Sequence, residues 1–216
     1  MAKLKVCVLI SGSGSNLQAL IDDSAKEDCP YEIVHVISNI KTAYGLVRAQ
    51  NADIATTIVD HKDYNGREEF ETALQSVLEE QGCELVCLAG FMRLLTDTFV
   101  QKWRDSLVNI HPALLPSFKG LHTHERAIET GVKFHGATVH FVRPAMDEGP
   151  IIAQACVPVL PDDTAEILGK RVLEQEHKIY PLSLRLIADR KIRVAGEKTI
   201  YQNVDHHQHS IQHPIA

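Results

Sequence analysis

Strand-like and helix-like apolar patterns alternate along the first 90 residues of the chain. In chain order, starting and ending with a strand, they cover 4–10, 15–24, 33–38, 43–50, 54–59, 67–81 and 85–89. This alternation is typical of βαβ units, whose strands form a mostly parallel sheet with helices on both faces. The sequence therefore predicts the α/β class, with one open, twisted, mostly parallel sheet.

The pattern changes after Asn109. Two neighbouring strands are predicted at 136–142 and 150–159, joined by the turn "RPAMDEG", and a long amphipathic helix is predicted at 163–188. No linker rich in Gly, Ser or Pro divides the chain, so residues 1–200 are predicted to form one domain. Residues 201–216 are rich in histidine, but their irregular spacing and terminal position favour a flexible tail over a metal site.

Composition and charge argue against several classes of protein. The net charge is −6 at pH 7 and the basic residues are scattered, which argues against a nucleic-acid partner. The longest early apolar run, 6–10, is far too short for a signal sequence or a membrane span, so we expect a cytoplasmic location and no membrane contact. Cys83 and Cys87 lack a second pair of ligands, and no metal is expected. We expect a monomer or a weak homodimer.

Three predicted strand ends carry unusual residues, and ligands of open α/β sheets bind at such ends. The first is the turn from Gly12 to Asn16 in "LISGSGSNLQAL", just before a helix. Exposed N–H groups at a helix start favour an anion such as phosphate. The turn lacks the third glycine of G-x-G-x-x-G and the G-K-[ST] of a P-loop, so a phosphate cradle and an ordinary capped turn both stay open.

The second strand end is "CLAGFMRLL", in which a buried strand runs into Gly90, Phe91, Met92 and Arg93. Such a segment can wall a flat apolar ligand while Arg93 meets a carboxylate. It can equally be an apolar turn that belongs to the core.

The third strand end is "LVNIHPALLPSFKG". If this strand stays extended, alternation puts Asn109 and His111 on one face, where an amide and an imidazole can address the same carbonyl group. A nearby carboxylate would keep the imidazole protonated at neutral pH and make it a general acid. Asp147, in "AMDEGPI", is the candidate. A structural histidine and an ordinary turn aspartate remain the alternatives.

The chain resembles the folate-dependent formyltransferases over residues 4 to about 195, and in particular their purine-pathway branch. The motifs that carry the resemblance are, in order, "ISGSGSNLQAL", "CLAGFMRLL", "NIHPALLPSFKGLHTH", "ATVHFV", "DEGPII" and "QEHKIYP". The resemblance implies a Rossmann-like formyltransferase fold. It also implies transfer of a formyl group from 10-formyltetrahydrofolate, a co-substrate, to the primary amine of glycinamide ribonucleotide.

The implied reaction gives the polar strand end a role. An amine that attacks a formyl carbon creates a tetrahedral centre with a negative oxygen, which needs hydrogen-bond donors. Asn109 would supply a neutral donor and protonated His111 a charged one, while Asp147 would hold His111 protonated and bind a water that relays the proton. The catalytic residues implied are therefore Asn109, His111 and Asp147.

The resemblance also implies ligand contacts. The residues that would bind the substrate phosphate and ribose are Gly14, Ser15, Asn16, Glu174, Gln175 and Glu176. The residues that would bind the folate are Arg67, Met92, Arg93, Leu94, Leu95, Asn109, Arg143, Pro144, Ala145, Met146 and Asp147. His140 either supports the site or packs in the core. His122 and His124 lie in a matched stretch, but no role follows for them.

Two kinds of alternative function stay open. Formyltetrahydrofolate hydrolase and methionyl-tRNA formyltransferase also use the folate, but the first usually carries an added N-terminal regulatory domain and the second a C-terminal tRNA-binding domain. We expect neither extension here. A non-catalytic nucleotide-binding or folate-binding module is the other alternative. The intact set of Asn109, His111 and Asp147 speaks against it.

Overall fold

Seven strands form a single sheet in the computed structural model, which describes residues 2–205 and 212–213. The elements are β1 (Leu4–Ile10), α1 (Ser15–Ser24), β2 (Tyr31–Ser38), α2 (Tyr44–Asn51), β3 (Thr56–Ile58), α3 (Arg67–Glu80), β4 (Leu85–Leu88), α4 (Asp97–Lys102), β5 (Leu107–His111), α5 (Thr123–Thr130), β6 (Phe134–Phe141), β7 (Ile151–Pro158), α6 (Ala165–Ala188), β8 (Ile192–Ala195) and β9 (Lys198–Tyr201). The predicted α/β class with an open, mostly parallel sheet is confirmed.

The order of the strands positions the crevice. Across the sheet they run β3-β2-β1-β4-β5-β6-β7; β1 to β5 are parallel, and β6 and β7 pair antiparallel. The chain leaves β1 towards β2 and then returns to β4 on the opposite side of β1. A crevice opens where strand order reverses in this way. The Met92 N–H, just after β4, donates to Ser11 Oγ, just after β1, at 2.8 Å and links the two strand ends.

The alternation of side chains along β1 divides the core between the two faces of the sheet. Val6, Val8 and Ile10 pack with residues of α1, α2 and α6, whereas Cys7 and Leu9 pack with residues of α3 and α4. All five of these β1 side chains are fully buried. Because both faces are covered, β1 has the continuous apolar sequence that a central parallel strand needs.

Polar contacts at both ends hold α6 across the sheet. At its start, the Thr164 side chain accepts a hydrogen bond from the Ile167 N–H at 3.3 Å, a typical N-cap. Further along, the Tyr180 hydroxyl donates to the Leu88 carbonyl at 3.0 Å, and Arg185 Nε donates to Asp23 Oδ2 of α1 at 2.8 Å. The last turn of α6 is thereby fixed beside the last turn of α1.

The structure adds elements to those predicted from the sequence. These are α4, α5 and the two-stranded hairpin of β8 and β9. The prediction of a flexible tail falls mostly on residues outside the described part of the chain, but His213 is described, and its Nε2 lies 3.2 Å from the Val159 carbonyl oxygen. Among the described residues, no helix has the length and apolar character needed to cross a membrane.

Candidate active site

Strand β5 places Asn109 and His111 on the same face of the sheet. Val108 and Ile110 pack into the cluster beside α1 and α6, so the residues between and after them point to the other face. Asn109 is half-buried and His111 is buried at the strand end. The two side chains therefore project together at the carboxyl end of β5.

Each ring nitrogen of His111 faces an oxygen. Nε2 lies 3.0 Å from the Phe118 carbonyl oxygen, and Nδ1 lies 3.5 Å from Asp147 Oδ1. A carbonyl can only accept, so Nε2 must carry a proton. If the ring were neutral, Nδ1 would then present a lone pair to a carboxylate. Only the doubly protonated ring places a proton opposite both oxygens.

Asp147 occupies a constrained position in the turn between β6 and β7. Its backbone is left-handed, with φ of 52°, which is uncommon for a residue other than glycine. Its Oδ2 accepts a 2.7 Å hydrogen bond from the Gly120 N–H, while Oδ1 faces His111. Both carboxylate oxygens thus have a polar neighbour.

His140 orients the amide of Asn109. Its Nδ1 lies 3.1 Å from the Phe141 carbonyl and must donate to it, which leaves Nε2 as the acceptor for Asn109 Nδ2 at 3.3 Å. Burial lowers the pKa of His140, so the neutral ring that this network needs is the stable one. Asn109 Nδ2 keeps a second proton, which can be offered to a ligand.

The turn after β1 brings two backbone segments unusually close. Gly14 precedes α1 with a left-handed φ of 70°, and a Cβ built on it would lie 2.6 Å from the Gly45 Cα. The Gly45 N–H donates to the Gly12 carbonyl at 3.0 Å, and Arg48 Nε donates to the Ser13 carbonyl at 2.9 Å. The glycines therefore serve close packing as well as leaving the first N–H groups of α1 uncovered by side chains.

Asn16 and Glu176 form a buried pair between α1 and α6. Asn16 Nδ2 donates to Glu176 Oε2 at 2.6 Å, and burial raises the pKa of Glu176 although this hydrogen bond opposes the shift. Asn16 Oδ1 is buried, and among the described residues no donor reaches it. The two neighbours on α6 are less enclosed, because Glu174 is exposed and Gln175 is half-buried.

Several residues predicted to bind the folate carry exposed apolar surface. Met92 and Leu94, after β4, are 69% and 58% exposed, and Met146 in the β6–β7 turn is 53% exposed. Arg93 and Leu95 are half-buried, and Arg67 is exposed in the first turn of α3. Large exposed apolar side chains near a polar cluster are typical of ligand-binding surfaces.

The side chain of Arg143 does not join the other residues that are predicted to bind the folate. Its guanidinium binds Asp105 Oδ1 at 2.7 Å through Nη2 and Glu197 Oε2 at 2.8 Å through Nε, and is almost fully buried. The residues that follow, Pro144 and Ala145, are exposed together with Met146. The folate role predicted for Arg143 therefore rests on its backbone alone.

Three groups at the site have no counterpart in the sequence prediction. The Phe118 carbonyl and the Gly120 N–H are backbone groups, and their role at a site cannot be predicted from the type of residue that carries them. Arg48 stands beside the glycine turn because α2 begins against it, and a basic residue one helical turn after Gly45 is the signal that identifies it. Across the described ranges no cluster of three or more His, Cys, Asp or Glu residues is arranged to hold a metal ion.

The fold and the site define a class: an α/β domain whose strand-end crevice combines an imidazole–carboxylate pair with amide donors, as enzymes of group transfer require. A family model described as "Formyl transferase" matches residues 4–184. The chain belongs to this formyl transferase family.

Within the family, the chain is similar to several individual proteins. Phosphoribosylglycinamide formyltransferase of Escherichia coli is 42% identical over 191 residues, which are 88% of this chain and 90% of that protein. The trifunctional purine biosynthetic protein adenosine-3 of Homo sapiens is 50% identical over 192 residues, 89% of this chain but 19% of that protein. The chain thus spans between 14% and 19% of the length of the trifunctional relatives that it matches.

A solved structure shows the same architecture. Glycinamide ribonucleotide transformylase 1 from Symbiobacterium toebii superposes with a TM-score of 0.91 at 44% identity, covering 93% of this chain and 95% of that one.

Proposed function

We propose that the protein transfers the formyl group of 10-formyltetrahydrofolate to the primary amine of glycinamide ribonucleotide, a step of purine biosynthesis. The observation that carries the proposal is the set of Asn109, His111 and Asp147 at one strand end, in a chain that belongs to the formyl transferase family. Likeness to phosphoribosylglycinamide formyltransferases over 88% of this chain and 90% of theirs supports the choice of substrates.

The donors of this set match the charge that the reaction develops. When the amine attacks the formyl carbon, the carbonyl oxygen becomes negative and accepts hydrogen bonds. Asn109 Nδ2 offers its second proton, because His140 accepts the first. His111 Nδ1 offers a charged donor that it would share between Asp147 Oδ1, 3.5 Å away, and the oxyanion, because the Nε2 proton is committed to the Phe118 carbonyl.

The amine of the acceptor supplies the nucleophile itself. An α-amine with a pKa of about 8 is partly unprotonated near neutrality, so no strongly basic side chain is needed. Asp147 keeps His111 charged. Its carboxylate can also accept a hydrogen bond from a water molecule that moves the proton from the attacking nitrogen to the leaving folate nitrogen. The role proposed for this set is therefore electrostatic and does not involve a covalent enzyme intermediate.

The first turn of α1 and the middle of α6 suit a phosphorylated ribose. The uncovered N–H groups after Gly14 can donate to a phosphate at the positive end of the helix. Asn16 Oδ1 needs a donor, and the Glu176 carboxylate beside it can accept a second hydrogen bond. Hydroxyl and amine groups of a ribosyl glycinamide provide such donors.

The exposed apolar residues support a flat folate ligand. Met92, Leu94 and Met146 offer surface for a ring system, and the two basic residues Arg67 and Arg93 offer charge for its carboxylates. We also propose that the protein acts in the cytoplasm as a monomer or weak homodimer, without a nucleic-acid or membrane partner and without a resident metal.

The test is an absorbance assay of the folate product with three acceptors: glycinamide ribonucleotide, water alone and methionyl-tRNA. We expect turnover only with the first. Turnover with water alone would identify a hydrolase, and turnover with the tRNA would identify the other transferase. Binding of the folate with no turnover on any acceptor would identify a non-catalytic module.

A second experiment tests the proposed phosphate site by changing the substrate rather than the protein. Replacing Gly14 by Val is a poor test, because the new side chain would collide with the Gly45 backbone. Removing the 5′-phosphate from glycinamide ribonucleotide leaves the protein intact. We expect kcat/KM to fall roughly 10-fold or more, at about 1.4 kcal/mol per decade. Equal kcat/KM for the two substrates would contradict a phosphate cradle at this turn.

A further inference from the structure

The hairpin of β8 and β9 contacts the turn that carries Asp147 at both ends of that turn. At the β6 end, Glu197 Oε2 accepts a hydrogen bond from Arg143 Nε at 2.8 Å. At the β7 end, the Tyr201 hydroxyl donates to the Ile152 carbonyl at 2.6 Å. The hairpin lies outside residues 4–184, the segment that the family model matches, so these contacts are not part of what the family match covers.

Arg143 is the buried centre of this arrangement. Its side chain is only 7% exposed, and it joins Glu197 of the hairpin to Asp105, which lies two residues before β5. Glu197 also accepts from Arg104 Nη2 at 2.8 Å, so two cations and two carboxylates form one network. Burial removes the hydration of the guanidinium, so it needs both carboxylate partners, because an unpaired buried charge destabilises the folded state.

The backbone of Arg143 connects this network to the catalytic turn. Its N–H donates to the Glu148 carbonyl at 3.2 Å and closes the turn around Asp147. A shift of Arg143 therefore moves the segment that holds the carboxylate. At the far side, Asp147 accepts from the Gly120 N–H and faces His111 at 3.5 Å, a distance that small displacements would change appreciably.

We propose that Arg143, held by Glu197 and Asp105, is a positioning residue that sets the place of the Asp147 carboxylate opposite His111. The hairpin thereby acts on the site through Arg143. This inference rests on the proposed function only for its kinetic consequence; the geometric consequence stands independently of the substrate.

The test is Glu197→Gln, which removes one carboxylate charge at a residue whose side chain is 59% exposed. We expect kcat to fall about 5- to 30-fold, since displacement of a catalytic group by a fraction of an ångström has effects of this order. The KM for glycinamide ribonucleotide should stay within about twofold, because within the described part of the chain no hydrogen bond or ion pair links the Asn16–Glu176 pair to Arg143 or Glu197. Combining the change with Arg143→Gln should add little further loss, since both act through one link.

The matched control is Glu79→Gln. Glu79 also forms a 2.7 Å ion pair with a basic residue, Lys102, and both side chains are about half exposed. It joins α3 to α4, away from the catalytic turn. The same loss of charge there should leave kcat unchanged.

A readout that needs no substrate is the NMR signal of the Gly120 amide, whose proton is bound to Asp147. In Glu197→Gln we expect its resonance to move upfield and its hydrogen exchange to quicken several-fold, with no change in Glu79→Gln. A lower Tm with kcat and the Gly120 signal unchanged would overturn the inference. A responsive Gly120 signal in a protein that shows no turnover on glycinamide ribonucleotide would instead overturn the proposed function alone.

Discussion

His111 is held between a neutral and a charged oxygen, and its two nitrogens are not equivalent. The Phe118 carbonyl fixes one proton on Nε2, so the proton on Nδ1 depends on Asp147. Taking away the charge of Asp147 while keeping its shape separates the two effects. The ring should keep its orientation, but the negative charge that stabilises its protonated form would be gone.

We therefore expect Asp147→Asn to lower kcat by on the order of 10²-fold or more, because the developing oxyanion loses its charged donor. The ¹⁵N shift of His111 Nδ1 at pH 7 should change from that of a protonated nitrogen to that of one with a lone pair. Asp162→Asn, the same substitution at an exposed position, is the control. An unchanged Nδ1 shift in Asp147→Asn would show that the pair does not control the ring.

Glu176 combines a buried carboxyl group with a proposed role in binding the substrate ribose. Burial raises its pKa, so its contribution to stability is full below the unfolded value and is lost as pH rises through the folded value. Glu176→Gln keeps an acceptor for Asn16 and has no charge to bury. We expect Tm at pH 7 to rise by about 2–4 °C, of the order of 1 kcal/mol, while KM for glycinamide ribonucleotide increases. A Tm that is lower than that of the parent at pH 7 would contradict this account.

At the scale of elements, α1 and α6 are joined by Asp23, which accepts hydrogen bonds from Lys26, Tyr31 and Arg185. Burial alone would raise the pKa of Asp23, but the three donors together outweigh burial and lower it. Its contribution is therefore present above the unfolded pKa, about 3.9, and is lost as pH falls through the folded value. The joint between the two helices should weaken in acid.

For Asp23→Asn we expect a loss of about 2 kcal/mol at pH 7, because Arg185 keeps only its contact with exposed Asp28. Measured as Tm, this is roughly 4–8 °C for a chain of this size. The difference from the parent should shrink as the pH is lowered towards 2.5. A difference that stays constant down to that pH would mean that packing rather than charge joins these helices.

The elements that the sequence predicts are those with a strong apolar period. In α1 and α6 the buried positions recur at helical spacing, and β1 and β4 are continuous apolar runs between helices. In α5, by contrast, only Thr123 and Ala127 are buried, so its sequence has no apolar stripe to detect. The hairpin did carry a signal, since Ile192 and Val194 alternate with polar residues before Gly196.

The residues of the candidate site also divide into those that the sequence predicts and those that it does not. Asn109 and His111 are predictable because strand periodicity puts them on one face, and Asp147 because it lies in a turn between predicted strands. The engagement of Arg143 was not predictable, because its partner Glu197 is 54 residues away in an element without an assigned role. Backbone donors and acceptors such as the Gly120 N–H depend on the path of the loop rather than on residue type.

At the scale of the whole molecule, the two hydrophobic clusters share the strands of one sheet. Removing apolar volume from either face should therefore weaken the same cooperative unit. Leu74 of α3 and Leu184 of α6 are both fully buried, one in each cluster. We expect Leu74→Ala and Leu184→Ala each to cost about 2–5 kcal/mol.

Circular dichroism and the fluorescence of Trp103, the single tryptophan, should report the same midpoint in the parent and in both variants. Trp103 belongs to the cluster with Leu74, so agreement in Leu184→Ala is the stricter condition. Two separate transitions in that variant would mean that the faces of the sheet unfold independently.

The bond between Asn16 and Glu176 spans 160 residues, and that between Asp23 and Arg185 spans 162. During synthesis at about 5–20 residues per second, roughly 10–30 s pass between the two halves of either contact. For most of this interval β1 has left the ribosome while α6, which covers one of its faces, does not yet exist. The nascent chain is therefore the state in which Val6, Val8 and Ile10 are most available to chaperones or to neighbouring nascent chains on the same message.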